Sequence, residues 1–279
     1  MRKSISTAKL LSRRESFGIL AALGGLVACG GSGALTTDDA GDSGSSGDDA
    51  SPTGDATPTA DAGVAWATGG TKSMTGNYAD PFPTTVASCV LAHAVTEGPC
   101  TEAADQVRKD VSEGYSGLPM RLALRVVDAS CNPIAGAKVK IWHTQLSGSY
   151  SGDTPNPNMC IKNSADVQKH YFRGVQTTDA NGRVDFDSCF PGWYKSRTVH
   201  VHFTVTANGK SFTSQLVFDQ NLITEIFSSH PEYSPYGQPD TTNANDNVVG
   251  KETLALFLLD TQKMADGAML ASKLLVVNV

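Results

Sequence analysis

From Met120 onward the chain is a series of short apolar runs separated by turn residues. Met120 to Val127 alternates Leu122, Leu124 and Val126 with other positions, the period of a strand with one face in a core. It ends at Asp128, and Asn132-Pro133 turns the chain into a second run, Gly136 to Trp142, in which Val139 and Ile141 take the same inward places. Residues 174–178 and 183–186, joined by Asp179-Ala180-Asn181-Gly182, read as a hairpin, as do 198–206 and 211–218 around Asn208-Gly209. Thr253 to Leu259 and Met269 to Val277 supply two more strands, and Asn221 to Phe227 is the best helix signal. About eight short strands and few short helices predict an all-β chain folded as a Greek-key β-sandwich.

Upstream of Cys89 the alternation stops. The first 28 residues carry five basic residues against Glu15, then an apolar run from Phe17 to Ala28 that is too short to span a membrane, so they read as a signal peptide. Ser12-Arg13-Arg14-Glu15-Ser16-Phe17 resembles a twin-arginine (Tat) export signal, and Leu26-Val27-Ala28-Cys29 resembles a lipobox with Cys29 as the lipidation site. That predicts an exported lipoprotein of the cell envelope, on the outer membrane or periplasmic face if the source is Gram-negative. Gly30 to Thr71 holds seven Asp and no basic residue, with little that is apolar and large. Such a composition does not offset chain entropy, so residues 29–87 are expected to be a disordered tether and 88–279 the folded domain.

The chain has 279 residues, a formal net charge of -6 and a pI near 5.5. With the basic leader and the acidic segment after it set aside, the body is nearly neutral and lacks a Lys/Arg stripe, which argues against a nucleic-acid partner. The lipid at Cys29 is the expected membrane contact, and oligomeric state is left open. Of six cysteines, Cys29 is assigned to the lipid. Cys89, Cys100, Cys131, Cys160 and Cys189 are an odd number, so one is unpaired or pairs elsewhere, and the connectivity stays open. Zinc-type C-x-x-C spacing is absent.

The chemistry concentrates between Phe190 and Phe203, F-P-G-W-Y-K-S-R-T-V-H-V-H-F. His200 and His202 are two apart on a strand and share a face, so both imidazoles can reach one metal. Tyr194 follows the Pro191-Gly192 turn, and Arg197 precedes the histidines. Taken alone, an H-x-H pair is more often surface or core than ligand. Trp142 and Trp193 read as packing residues, His143 as structural or exposed, and His93, His170 and His230 as loop residues without partners at metal spacing.

A larger set of motifs gives these residues a context. Thr96-Glu97-Gly98-Pro99, Pro133 to Ala137, Ile141-Trp142-His143 through Gly148-Ser149-Tyr150-Ser151, Phe172-Arg173-Gly174, Thr178 to Gly182, Pro191 to His202 and Pro239 to Asn243 occur in the order seen in intradiol ring-cleavage dioxygenases. The resemblance covers Cys89 to Val279 and is to the exported branch of that family. It implies a transthyretin-like sandwich holding Fe(3+) through Tyr150, Tyr194, His200 and His202, with solvent hydroxide as a fifth ligand. Phenolates are hard, charge-neutralising donors suited to iron(III), whereas iron(II) oxygenases usually use two histidines and a carboxylate. The resemblance further implies a small aromatic diol and O2 as substrates, cleaved between the hydroxyl-bearing carbons to a cis,cis-muconate-type product. In that scheme the diol displaces Tyr194, Arg197 stabilises the electron-rich ring, and Gln215 lines the same pocket. Two departures leave substrate preference and disulfide pattern open. Cys100 stands where exported relatives carry an aromatic, and Thr144 where a cysteine is common. A rival reading is a non-catalytic transthyretin-like binding module, which has no need of this donor set.

Overall fold

The computed structural model describes residues 63–82, 88–104 and 106–279. The signal segment, Cys29 and the chain up to residue 62 lie outside the described residues. Eight strands form among them: β1 Pro119–Val127, β2 Lys138–Trp142, β3 Arg173–Thr177, β4 Arg183–Cys189, β5 His200–Ala207, β6 Lys210–Val217, β7 Asp260–Lys263 and β8 Met269–Val276. They make two four-stranded sheets, ordered β4-β1-β8-β7 and β3-β2-β5-β6. Only β1 and β8 run parallel. After β3 and β4, strand β5 returns to lie beside β2, a Greek-key connection.

Alternation decides which side chains fill the space between the sheets. Leu122, Leu124 and Val126 of β1 meet Val139 and Ile141 of β2 and Val201, Phe203 and Val205 of β5 in one buried cluster. Because those β5 residues point inward, His200 and His202 must point to the outer face of the second sheet. Cross-strand register then sets Trp142 on one side of His202 and Gln215 on the other. The site therefore lies outside the sandwich core, on one face of a single sheet.

Three expectations are corrected. Residues 174–178 and 183–186 do not form a hairpin: β3 pairs with β2, and β4 pairs with β1 in the other sheet. The turn does reverse the chain, with Gly182 N donating to Asp179 O at 3.0 Å, but turn residues do not dictate which sheet the next strand joins. Thr253 to Leu259 is not a strand; Leu254–Leu256 is a 3-10 turn, and β7 starts at Asp260. A short apolar run fits either form, and here it packs around Val217, Val249 and Phe257. Folded structure also begins before Cys89. Trp66 packs against the core and donates to Glu225 at 2.8 Å, and Gly70 N donates to Gly117 O at 2.9 Å. Tyr78 donates to Asp266 at 2.8 Å.

The helix expected near Asn221 is α2, Gln220–Ser229, capped by Asp219 accepting from Asn221 N and Leu222 N. A four-residue helix, α1 Pro157–Cys160, precedes β3. Disulfides join Cys89 to Cys131 and Cys100 to Cys160, and among the described residues Cys189 is free and buried.

Candidate metal centre

His200 and His202 leave β5 almost wholly buried, their Nε2 atoms 3.0 Å apart. The His200 Nδ1–H donates to Thr198 O at 2.6 Å, which leaves a lone pair on Nε2 aimed away from the strand. The His202 ring is held by a stack with Trp142, centroids 4.8 Å apart and planes 7° from parallel. Its Nδ1 is buried without a hydrogen-bond partner among the described residues. Burial pushes both imidazoles well below their usual pKa and keeps them neutral; Arg197 adds to this for His200, and His200 adds to it for His202.

The phenols arrive on two interlocked loops. Gly148, two residues before Tyr150, has φ +72°, and a Cβ there would stand 1.9 Å from Trp193 O. Gly192, two residues before Tyr194, would place a Cβ 2.2 Å from Gln145 O. Only glycine permits these approaches, which carry Tyr150 and Tyr194 to the same spot. Tyr150 N donates to Cys160 O at 2.9 Å, and Tyr171 Oη donates to Tyr150 O at 3.0 Å. The phenol oxygens lie 3.3 Å (Tyr150) and 3.2 Å (Tyr194) from His200 Nε2. Burial raises both phenols, Tyr150 further because Tyr194 adjoins it, while Arg197 partly offsets the rise at Tyr194.

The four sequence-predicted ligands are thus brought together, three donor atoms lying within 3.0–3.3 Å of His200 Nε2. Donors sharing one first-row cation at about 2.1 Å stand about 3 Å apart, so the set fits such an ion. Two neutral imidazoles and two ionisable phenols also suit a highly charged one. Among the described residues no group of three or more His, Cys, Asp and Glu gathers to hold a metal, so this centre is visible only when tyrosines are counted.

Arg197 lies beside the donors, Nη1 3.5 Å from Tyr194 Oη. Its Nε donates to Asp246 Oδ2 at 2.9 Å, and Asp246 also accepts from Thr198 N at 2.8 Å. Burial pushes the Asp246 carboxyl up, but Arg197 and the backbone N–H groups of Thr198 and Val249 bring it net below the usual carboxylate value. Asp246 therefore fixes Arg197 and, through Thr198, the residue that orients His200. Sequence reasoning passed over Asp246, which lies 49 residues beyond Arg197 in a loop with no chemical pattern of its own.

Gln215 takes a different place from the one expected. Its Oε1 accepts from Arg197, and its Nε2 donates to Thr96 O at 3.1 Å. It is absent from the lining of the cavity beside the donors and borders another cavity instead. Both ends of the amide are committed, so Gln215 acts as a brace. The cavity beside the donors has a volume of about 470 Å³ and is bordered by Thr96, Gly98, Pro99, Cys100, Tyr194 and Arg197, among others. That is within the range of small-molecule sites. Tyr194 borders it and Tyr150 does not.

The remaining histidines stay outside the centre. His143 is buried rather than exposed, with Nε2 2.7 Å from Ser188 Oγ. His170 pairs with Glu102 at 2.9 Å, and His230 bonds Ala67 O. His93 lies 3.5 Å from Glu252. Trp193 packs against the core and donates to Gly237 O at 3.0 Å.

Comparison with known proteins places these features in context. The family described as "Dioxygenase" matches residues 94–255. The catechol 1,2-dioxygenase of Acinetobacter baylyi is 23% identical over 192 residues, covering 60% of this chain and 59% of that one. The chlorocatechol 1,2-dioxygenase of Rhodococcus opacus is 27% identical over 120 residues, 36% of this chain and 43% of that one. The chain thus spans less than two thirds of these curated relatives. An intradiol ring-cleavage dioxygenase structure from Tetranychus urticae matches with a TM-score of 0.61 at 31% identity, covering 68% of this chain and 95% of that one.

The Arg197–Asp246 pair yields a prediction. Asp246→Asn leaves a largely buried guanidinium without its counter-charge and should destabilise the fold by about 3 kcal/mol in urea unfolding at neutral pH. Because the folded carboxyl is lowered, the wild-type advantage is full above the unfolded value of about 3.9 and is lost as pH falls through the folded value. A gap that stays constant down to about pH 2 contradicts this linkage.

Proposed function

The chain belongs to the intradiol ring-cleavage dioxygenase family, and on that premise we propose that it is a non-haem iron(III) enzyme. It cleaves a catechol-type aromatic diol between its two hydroxyl-bearing carbons, using O2, to a cis,cis-muconate-type diacid. The observation that carries this reading is the convergence of two imidazoles and two phenols beside a cavity of suitable size. Ferric iron held by Tyr150, Tyr194, His200 and His202 would supply a Lewis acid that binds the diol as its dianion and activates it toward O2.

The chain's own residues then divide the work. Tyr194 is the phenol a diol entering the cavity meets, so it is the one suited to leave the centre and accept a diol proton on Oη. Tyr150 stays, pinned by Cys160 O and Tyr171 Oη. Arg197 borders the cavity with its charge oriented by Asp246 and Gln215, where it stabilises negative charge on the bound ring. A roof segment of irregular chain, with Thr96, Gly98, Pro99 and Cys100, borders the cavity.

We further propose export and lipid anchoring at Cys29. The two disulfides in the folded domain agree with an oxidising compartment. Fatty-acid labelling of expressed protein should be present in the wild type and absent in Cys29→Ala; label retained in that variant rejects the anchor.

Oxygen uptake with a panel of catechols tests the chemistry. The iron-loaded chain should consume one O2 per diol and form a muconate-type product, and Tyr194→Phe should lower kcat about 100-fold while keeping the metal. A yellow semialdehyde product would place cleavage outside the diol and overturn the proposal. No uptake with any diol favours a binding module.

A further inference from the structure

We infer that the Cys100–Cys160 disulfide is the fixed wall of the diol cavity and a positioning element for Tyr150, an inference that rests on the function proposed above. Cys100 borders the cavity, yet it is only 4% exposed and its partner 1%. Both sulfurs belong to a small cluster with Trp142 and Tyr150, against which Tyr194 and Ile161 pack. The bridge therefore shares one buried cluster with Trp142, which stacks on His202, and with Tyr150, and Tyr194 packs against that cluster.

The segment 96–100 that roofs the site contains no strand or helix. Its path depends on three attachments. Gln215 Nε2 holds Thr96 O at 3.1 Å, Arg173 Nη2 holds Cys100 O at 2.7 Å, and the disulfide is the third. Between them Gly98 lies beside His202, where an added Cβ would make ordinary contact with the ring at 3.5 Å. The Arg173 anchor also reaches the other side of the bridge, because its Nε donates to Ser151 O at 2.9 Å.

The far end of the bridge explains the link to the centre. Cys160 closes α1, and its carbonyl accepts the Tyr150 N–H. One covalent bond thus joins a cavity-wall residue to the backbone that fixes a proposed ligand, across 60 residues of sequence. The Cys89–Cys131 bridge has neither residue on the cavity and serves as an internal control. With the Cys100–Cys160 bridge gone, residues 96–100 are held by the two hydrogen bonds above and, among the described residues, by flanking anchors at Val95 N to Thr213 O and at Glu102. The roof then moves outward, which widens the cavity and loosens Tyr150.

The test compares two paired variants of the iron-loaded chain, Cys100→Ser/Cys160→Ser and Cys89→Ser/Cys131→Ser. The first should retain iron, shift the visible band, and lose about tenfold or more in kcat/KM for unsubstituted catechol. Its activity ratio of bulky ring-substituted catechol to catechol should rise. The second should change only the unfolding midpoint. Equal behaviour of the two variants, or an unchanged substrate ratio in the first, overturns the inference. A wild type that turns over no diol contradicts the proposed function instead. A second measurement needs no mutation: reduction of each bridge by a water-soluble phosphine, read by alkylation and mass spectrometry, with and without bound 4-nitrocatechol. Each event breaks one S–S bond and leaves two thiols, while water gives its oxygen to the phosphine oxide. Occupancy should slow reduction of Cys100–Cys160 several-fold and leave Cys89–Cys131 unchanged; equal rates with and without ligand overturn the inference.

Discussion

One imidazole and two phenols packed within 3.3 Å of the nitrogen of a second imidazole, His200 Nε2, compete for the same few protons. Burial makes both rings of each kind reluctant to ionise, and His202 Nδ1 is left without a partner among the described residues. Buried polar groups ordinarily find partners one to one. A cluster in which lone pairs outnumber the donors is stable where a positive charge is shared among them. The surrounding features serve that arrangement: the Thr198 carbonyl turns His200, the Trp142 stack holds His202, and paired glycines let the tyrosine loops interlock.

The sandwich supplies rigidity and the loops supply chemistry. Only the histidines, Trp142 and Gln215 come from strands, and their placement follows from the inward packing of Val201, Phe203 and Val205. Tyr150, Tyr194, Arg197 and residues 96–100 are delivered by irregular chain that needs its own fastening. Asp246 fastens the Arg197 loop, Tyr171 the Tyr150 loop, and Arg173 the roof. Arg173 is itself nearly inaccessible, and burial lowers its pKa against the pull of Glu102 and Tyr150, so its charge is used structurally.

Legibility in the sequence tracked the range of the cause. His200 and His202 were readable because a two-residue period is a local property, and Leu122, Leu124 and Val126 were readable as core for the same reason. Tyr150, Tyr194 and Arg197 entered through ordered motifs, since nothing local marks a tyrosine as a ligand. Asp246 could not be found that way because its role depends on a contact 49 residues distant. Likewise, Asp179 to Gly182 signals a reversal but not the sheet that receives β4. The stretch before Cys89 shows how an average misleads: its Gly, Ser and Thr content suggests a tether, whereas Trp66 and Tyr78 anchor residues 63–82. Pairing among five cysteines is a three-dimensional fact that spacing does not encode.

The central claim is that Tyr150 and Tyr194 complete a ferric centre with His200 and His202. Metal analysis joined to visible absorption of protein purified from iron-replete cells tests it most directly. The protein should carry one iron per chain and a purple-red phenolate-to-iron band that disappears in Tyr150→Phe/Tyr194→Phe. Colourless, iron-free protein, or a band that survives the loss of both phenols, contradicts it.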